Sequence, residues 1–205
     1  MRRFQPTARL RHLLDRILRC GILAFIGLSP LHASRLPAQP REPAPVLSDS
    51  AMQALYLYNF AKFIDWPDKI FLDKRTPIRL CLYGEKPNEL RQSVAAIEGK
   101  SAHGRDVAVR RQTTLAELND CQIVFIPDSE KRWLSEVLRV AHAASALTVS
   151  DMEGFVDSGG GVGLFMSDRQ LRFDVNLNAI ETAQLKVSSQ LLKLARTVRG
   201  QGVRN

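Results

Sequence analysis

The sequence predicts an α/β fold: a single domain with a mostly parallel sheet flanked by helices and an antiparallel edge hairpin. Three observations carry this. Between residues 50 and 150, short apolar runs alternate with helical patterns, as βαβ units do. Residues 121–126 are a nearly continuous apolar run, which suits a central parallel strand covered on both faces. Two apolar runs, 162–166 and 171–175, are separated only by Ser167-Asp168-Arg169-Gln170, a linker that permits an antiparallel hairpin and nothing else.

Taken in order, the chain starts with a leader. Residues 1–19 carry Arg2, Arg3, Arg9, Arg11, Arg16 and Arg19 against the single acid Asp15. Residues 20–28 (CGILAFIGL) form an uncharged run, too short to span a bilayer and long enough for a signal h-region. Ser29-Pro30 ends it, and Leu31-His32-Ala33 offers a cleavage site, although Leu31 is larger than the usual small residue. The expectation is a signal peptide over 1–33; a basic amphipathic helix or a membrane anchor is the other reading. Leu18-Arg19 before Cys20 lacks the small residues of a lipobox. Residues 34–49 hold Pro37, Pro40, Pro43 and Pro45 and read as an extended spacer.

A helix is predicted over 50–64, apolar almost all round and so buried on most sides, capped by Asp49 or Ser50. Trp66-Pro67 stops it. Residues 78–83 read as a strand ended by Gly84, and 87–97 as a helix with Pro87 in its first turn. Residues 106–111 alternate as a half-buried strand, 115–118 make a short helix, and 129–143 a helix capped by Ser129. Residues 146–149 are another buried strand. After the hairpin, 177–183 and 187–198 are helical in pattern. The domain is expected over 50–198, with a tail at 199–205.

The whole chain has 29 Lys and Arg against 21 Asp and Glu. Without the leader's six Arg and one Asp these become 23 and 20, a net of +3. The basic character therefore resides in the leader, and no basic stripe argues for nucleic acid. Two cysteines remain in the mature chain, Cys81 and Cys121, both in strand-like runs. They are either bonded, if the strands are neighbours, or two separate buried thiols.

No catalytic constellation emerges. Gly159-Gly160-Gly161 opens a strand rather than a helix, which fails the context of a dinucleotide loop and suits a hairpin or bulge. His103 and His142 have no partner at catalytic or metal-ligand spacing; both read as surface residues, His142 at a helix C-terminus where its charge suits the dipole. Asp128-Ser129-Glu130 at a strand-to-helix junction is a cap with acids in the first turn. There is no Gly-x-Ser-x-Gly elbow, and two cysteines without spaced histidines are too few for zinc. The expectation is a binding protein without cofactor, metal or enzymatic activity.

The motifs YLYNFAKFIDWP, PIRLCLYG, DCQIVFIPDSE, LTVSD, GGGVGLF and LRFDVNLNAIETAQLKVSSQLLKLA, in this order, resemble the YfiR family of bacterial exported proteins. The resemblance covers about residues 50–198. It implies an α/β fold, a homodimer, and a periplasmic repressor that binds the periplasmic sensor domain of a membrane diguanylate cyclase, lowering cyclic di-GMP and restraining biofilm. It implies a disulfide between Cys81 and Cys121. The second cysteine pair of the family's best understood member is missing here, so the resemblance does not extend to a redox switch built on that pair.

Candidate contact residues interrupt the apolar pattern. Arg172, Asp174 and Asn176 alternate with Leu171, Phe173 and Val175, so they share a strand face opposite the core. That places them on an exposed face. Lys186 and Ser188 flank Val187, where Ser188 or Ser189 can cap the last helix; the resemblance implies that this region lines a partner or ligand surface. A periplasmic small-molecule receptor serving an uptake system or a sensor kinase is the alternative function.

Overall fold

The computed structural model describes residues 47–84 and 89–200. The leader, most of the spacer, the first two residues of the helix expected from Pro87, and residues 201–205 lie outside the described residues. The chain runs through α1 (Asp49–Phe63), β1 (Ile64–Asp65), β2 (Ile78–Tyr83), α2 (Glu89–Ser93), β3 (Ser101–Ala102), β4 (Arg105–Gln112), β5 (Ile123–Phe125), α3 (Leu134–Ala143), β6 (Leu147–Ser150), β7 (Val162–Ser167), β8 (Gln170–Asn176), α4 (Leu177–Thr182), β9 (Lys186–Val187), α5 (Ser189–Leu192) and β10 (Thr197–Arg199).

Eight strands form one sheet in the order β10-β8-β7-β6-β5-β2-β4-β3. The run from β4 through β7 is parallel. β8 returns antiparallel to β7, and β10 lies parallel to β8. β1 and β9 make a separate antiparallel pair. The α/β prediction therefore holds, with the hairpin at one end of the sheet and the short β10 added outside it.

Each sheet face has its own core. On one, Leu57, Phe60 and Ile64 of α1 and β1 meet Leu80, Phe125, Leu164 and Phe173. Phe173 sits 5.5 Å from the Phe60 ring and 5.9 Å from Tyr56, both edge to face. On the other, Val137, Leu138 and Ala141 of α3 cover Cys81, Val124 and Ile126 together with Phe155. Strands buried on both sides explain the nearly continuous apolar run at 121–126.

α1 exposes only Asp49, Leu55 and Lys62, in keeping with its all-round apolar sequence. Its aromatic residues carry polar tips that reach backbone carbonyls. Tyr56 donates to Leu171 O at 2.8 Å, Tyr58 to Ser101 O at 2.9 Å, and Trp66, just past the helix, to Gln122 O at 3.0 Å. A ring that buries its body and satisfies its one donor fixes the helix against three separate strands or strand approaches. The cap is Ser48, one residue earlier than expected, whose hydroxyl accepts from Ala51 N.

Cys81 and Cys121 are bonded, with Cα atoms 5.9 Å apart, and both are fully buried. The bridge joins β2 to the turn that leads into β5 rather than strand to strand. It closes a separation of 40 residues, worth roughly 4 kcal/mol at most by chain entropy.

Several local expectations are corrected. Residues 128–133 form a 3-10 helix before α3, and Ser129 makes no capping bond. His142 is half-buried, and burial pushes its imidazole below the ordinary value; its Nε2 is buried without a partner among the described residues. The helix expected over 187–198 is instead β9, the four-residue α5 and β10. Gly160 is required by packing: a Cβ there would collide with the Phe155 ring.

Candidate functional site

The β7–β8 hairpin closes through Asp168 and Arg169, at φ 50° and 60°. Two central residues at positive φ match the twist of the flanking strands. Pairing runs from Val162↔Val175 to Ser167↔Gln170. Leu171, Phe173 and Val175 enter the core with Tyr56 and Phe60 behind them. Arg172, Asp174 and Asn176 share the opposite face, as the alternation predicts.

That face is not open along its length. Asp174 is only 6% exposed, which corrects the expectation of a solvated residue. Arg196 covers it: Nε donates to Oδ1 at 3.0 Å, and a terminal nitrogen pairs with Oδ2. The hydrogen bond to Asp174 raises the guanidinium above its usual range. The same guanidinium lies 3.8 Å from the centre of the Phe165 ring. Arg196 is held there because its backbone N–H bonds Phe173 O at 2.9 Å, just before β10 joins β8.

Asn176 works inside the structure as well. Its Oδ1 accepts from Ala179 N and caps α4, while Nδ2 donates to Val156 O at 2.9 Å. It thereby ties the 151–160 loop to the hairpin; the Arg199–Asp157 ion pair ties the same loop to β10. Arg172 alone of the three is exposed, donating to Gln170 Oε1 at 2.6 Å. Lys186 and Ser188 belong elsewhere, beside the end of α1: Asp65 pairs with Lys186, Ser188 N donates to Phe63 O, and the Ser188 hydroxyl caps α5. The five predicted residues therefore do not converge on one place.

Between the loop and the hairpin lies a cavity of about 340 Å³, lined by Met152, Phe155, Phe165, Asp174 and Arg196. Asp151 lies at its edge, its carboxyl raised by burial. The surface combines a half-buried Phe165 with the cations Arg172 and Arg196; the exposed Met166 pairs with Leu171 and lies on the other face of the hairpin. Aromatic and Arg groups on a strand pair suit protein contact. Arg196, Phe165 and Met166 escaped the sequence reading. The available signal was an Asp in a strand otherwise buried, which demands a cation, but nothing in the sequence says which of the many Arg residues supplies it.

The YfiR/HmsC-like family model matches residues 50–196. The chain belongs to the YfiR/HmsC-like family. The match spans the described domain from the first turn of α1 to Arg196, and so includes the hairpin and the residue that covers it. No curated protein matches the chain. Among solved structures, the chain is similar to a conserved domain protein from Vibrio cholerae O1 biovar El Tor, at 11% identity and a TM-score of 0.47. That similarity covers 73% of this chain and 60% of the other.

Proposed function

We propose that this YfiR/HmsC-like protein is a periplasmic regulator that represses a membrane diguanylate cyclase by binding the cyclase's periplasmic sensor domain, thereby lowering cyclic di-GMP. The observation that carries the proposal is the family match over residues 50–196, because that family suggests periplasmic regulation of such a cyclase. The Cys81–Cys121 bond supports export, since disulfides persist in oxidising compartments. A homodimer belongs to the same proposal.

The contact surface in this reading is the hairpin face. Arg172 meets the partner directly with the half-buried Phe165 across from it, Arg196 presents its outer edge, and Asp174 and Asn176 act from beneath by holding Arg196 and the 151–160 loop in place. Lys186 and Ser188 lie outside this surface. The experiment is capture of the cyclase's periplasmic domain by the purified protein, with Arg172→Glu as the test variant. Arg172 is exposed and supports no core residue, so the variant folds as wild type while binding weakens about tenfold or more. Equal capture by Arg172→Glu places the interface elsewhere, and no capture by wild type removes the proposal.

A further inference from the structure

A second cavity, about 440 Å³, opens at the C-terminal ends of the parallel strands. The strand order β4-β2-β5 makes this the topological switch point of the sheet: from β2 the chain crosses to β4 on one side, and from β4 it crosses back to β5 on the other. Open α/β sheets bind small ligands in the crevice at this position. Here the walls are Tyr83 and Gly84 at the end of β2, Leu115 beyond β4, and Glu130, Arg132 and Trp133 beyond β5.

The wall chemistry is specific. Trp133 is 45% exposed, unusual for the largest apolar side chain, and presents a flat surface in a concave setting. The Arg132 guanidinium lies 5.4 Å from its ring centre. Tyr83 is more than nine-tenths buried in the wall; its hydroxyl forms no hydrogen bond among the described residues but keeps contact with solvent. Glu130 packs its carboxylate against the Cα of Gly84 and forms no ion pair among the described residues. Gly84 permits this, because a Cβ there would come within 2.8 Å of the Glu130 carboxylate oxygen. Burial first, and then the Glu130 and Glu136 carboxylates, raise the Tyr83 phenol above its ordinary value. The cleft therefore sets the Glu130 carboxylate beside Gly84 and Tyr83, while the Arg132 guanidinium lies near the Trp133 ring.

We propose that this cleft is a binding site for a small organic amine: an ammonium group seated between the Glu130 carboxylate and the Tyr83 hydroxyl, and a planar or apolar body laid along Leu115 and Trp133. The ammonium supplies donors to a carboxylate and a phenol oxygen that have no donor among the described residues. The site shares no residue with the hairpin surface, so it stands whether or not the repressor reading does.

The test uses the intrinsic fluorescence of the purified protein, whose two tryptophans are Trp133 in the cleft and Trp66 in the core. Benzylamine, benzyl alcohol and benzoate serve as probes of equal shape with positive, neutral and negative charge. Benzylamine gives a saturable quench that is absent in Trp133→Phe and weakened about tenfold in Glu130→Gln, as expected for loss of a charge-assisted hydrogen bond. The isosteric Glu130→Gln keeps the wild-type melting temperature, so its weaker binding is not a folding defect. The proposal is overturned if benzylamine shows no saturation, if benzoate or benzyl alcohol binds as well, or if Glu130→Gln binds benzylamine normally.

Discussion

Arg196 grips Asp174 with two hydrogen bonds on the face of β8 turned away from the main core, and rests its guanidinium on Phe165 while doing so. One partner is buried and the other half open to water. The pair therefore joins the C-terminal strand to the hairpin and sets the outline of the proposed contact surface.

Substituting Asp174 should unfold rather than merely disarm the protein. Asp174→Lys places two cations together in a site with almost no access to water. Removing one member of a buried pair costs about 3–5 kcal/mol, and the half-exposed Arg196 moves the estimate to the lower end. Chemical denaturation should show a loss of that order. A melting temperature equal to wild type would mean that the residue is solvated after all. Arg172→Glu, two positions away on the same face, should leave stability within about 0.5 kcal/mol.

Phe173→Ala removes the ring that meets Tyr56 and Phe60 edge to face. The cavity left behind costs about 3–5 kcal/mol, and the melting temperature should drop by roughly 10 °C. A drop of only a degree or two would show that α1 closes onto β8 without the ring.

The Cys81–Cys121 bridge should appear as linked peptides in non-reducing mapping of native protein. Cys81→Ser should cost up to about 4 kcal/mol, since both the loop constraint and a buried apolar contact go. Free thiols at both positions in native material would contradict the structure.

Acid should weaken the fold through His142. Burial lowers its folded pKa below the ordinary value of about 6.5, so between that value and the folded pKa the unfolded chain binds more protons. This contribution to stability is complete above about pH 6.5 and is lost as pH falls through the window toward the folded pKa. Asp151, whose carboxyl is raised by burial, acts in the opposite sense above its ordinary value. Comparing wild type with His142→Leu across pH 5 to pH 8 therefore isolates the histidine. The variant's stability should be flatter over that range; identical pH profiles would show that His142 charges freely in the folded protein.

The elements that local pattern determines were legible in the sequence. β2 falls at 78–83, where the apolar run and Gly84 put it, and the hairpin follows from the shortness of its linker. The error at Asp174 has a non-local cause. Alternation assigned the correct face, but whether that face is wet depends on the 151–160 loop and on Arg196, which arrives from 22 residues away. The C-terminal error is similar. Residues 187–198 carry a helical period, yet Ser188 N bonds back to Phe63 O, the helix after it lasts four residues, and the free side of β8 draws 197–199 into the sheet. Lys186 and Ser188 enter the candidate surface only through the family resemblance, and β9 carries them to the end of α1, away from the hairpin.

Cellular cyclic di-GMP in a strain lacking this gene tests the repressor reading most directly, with the cognate membrane cyclase left intact. The account predicts a rise in the nucleotide that is reversed by restoring the gene and abolished by also deleting the cyclase. An unchanged nucleotide level, with every membrane cyclase intact, would contradict it.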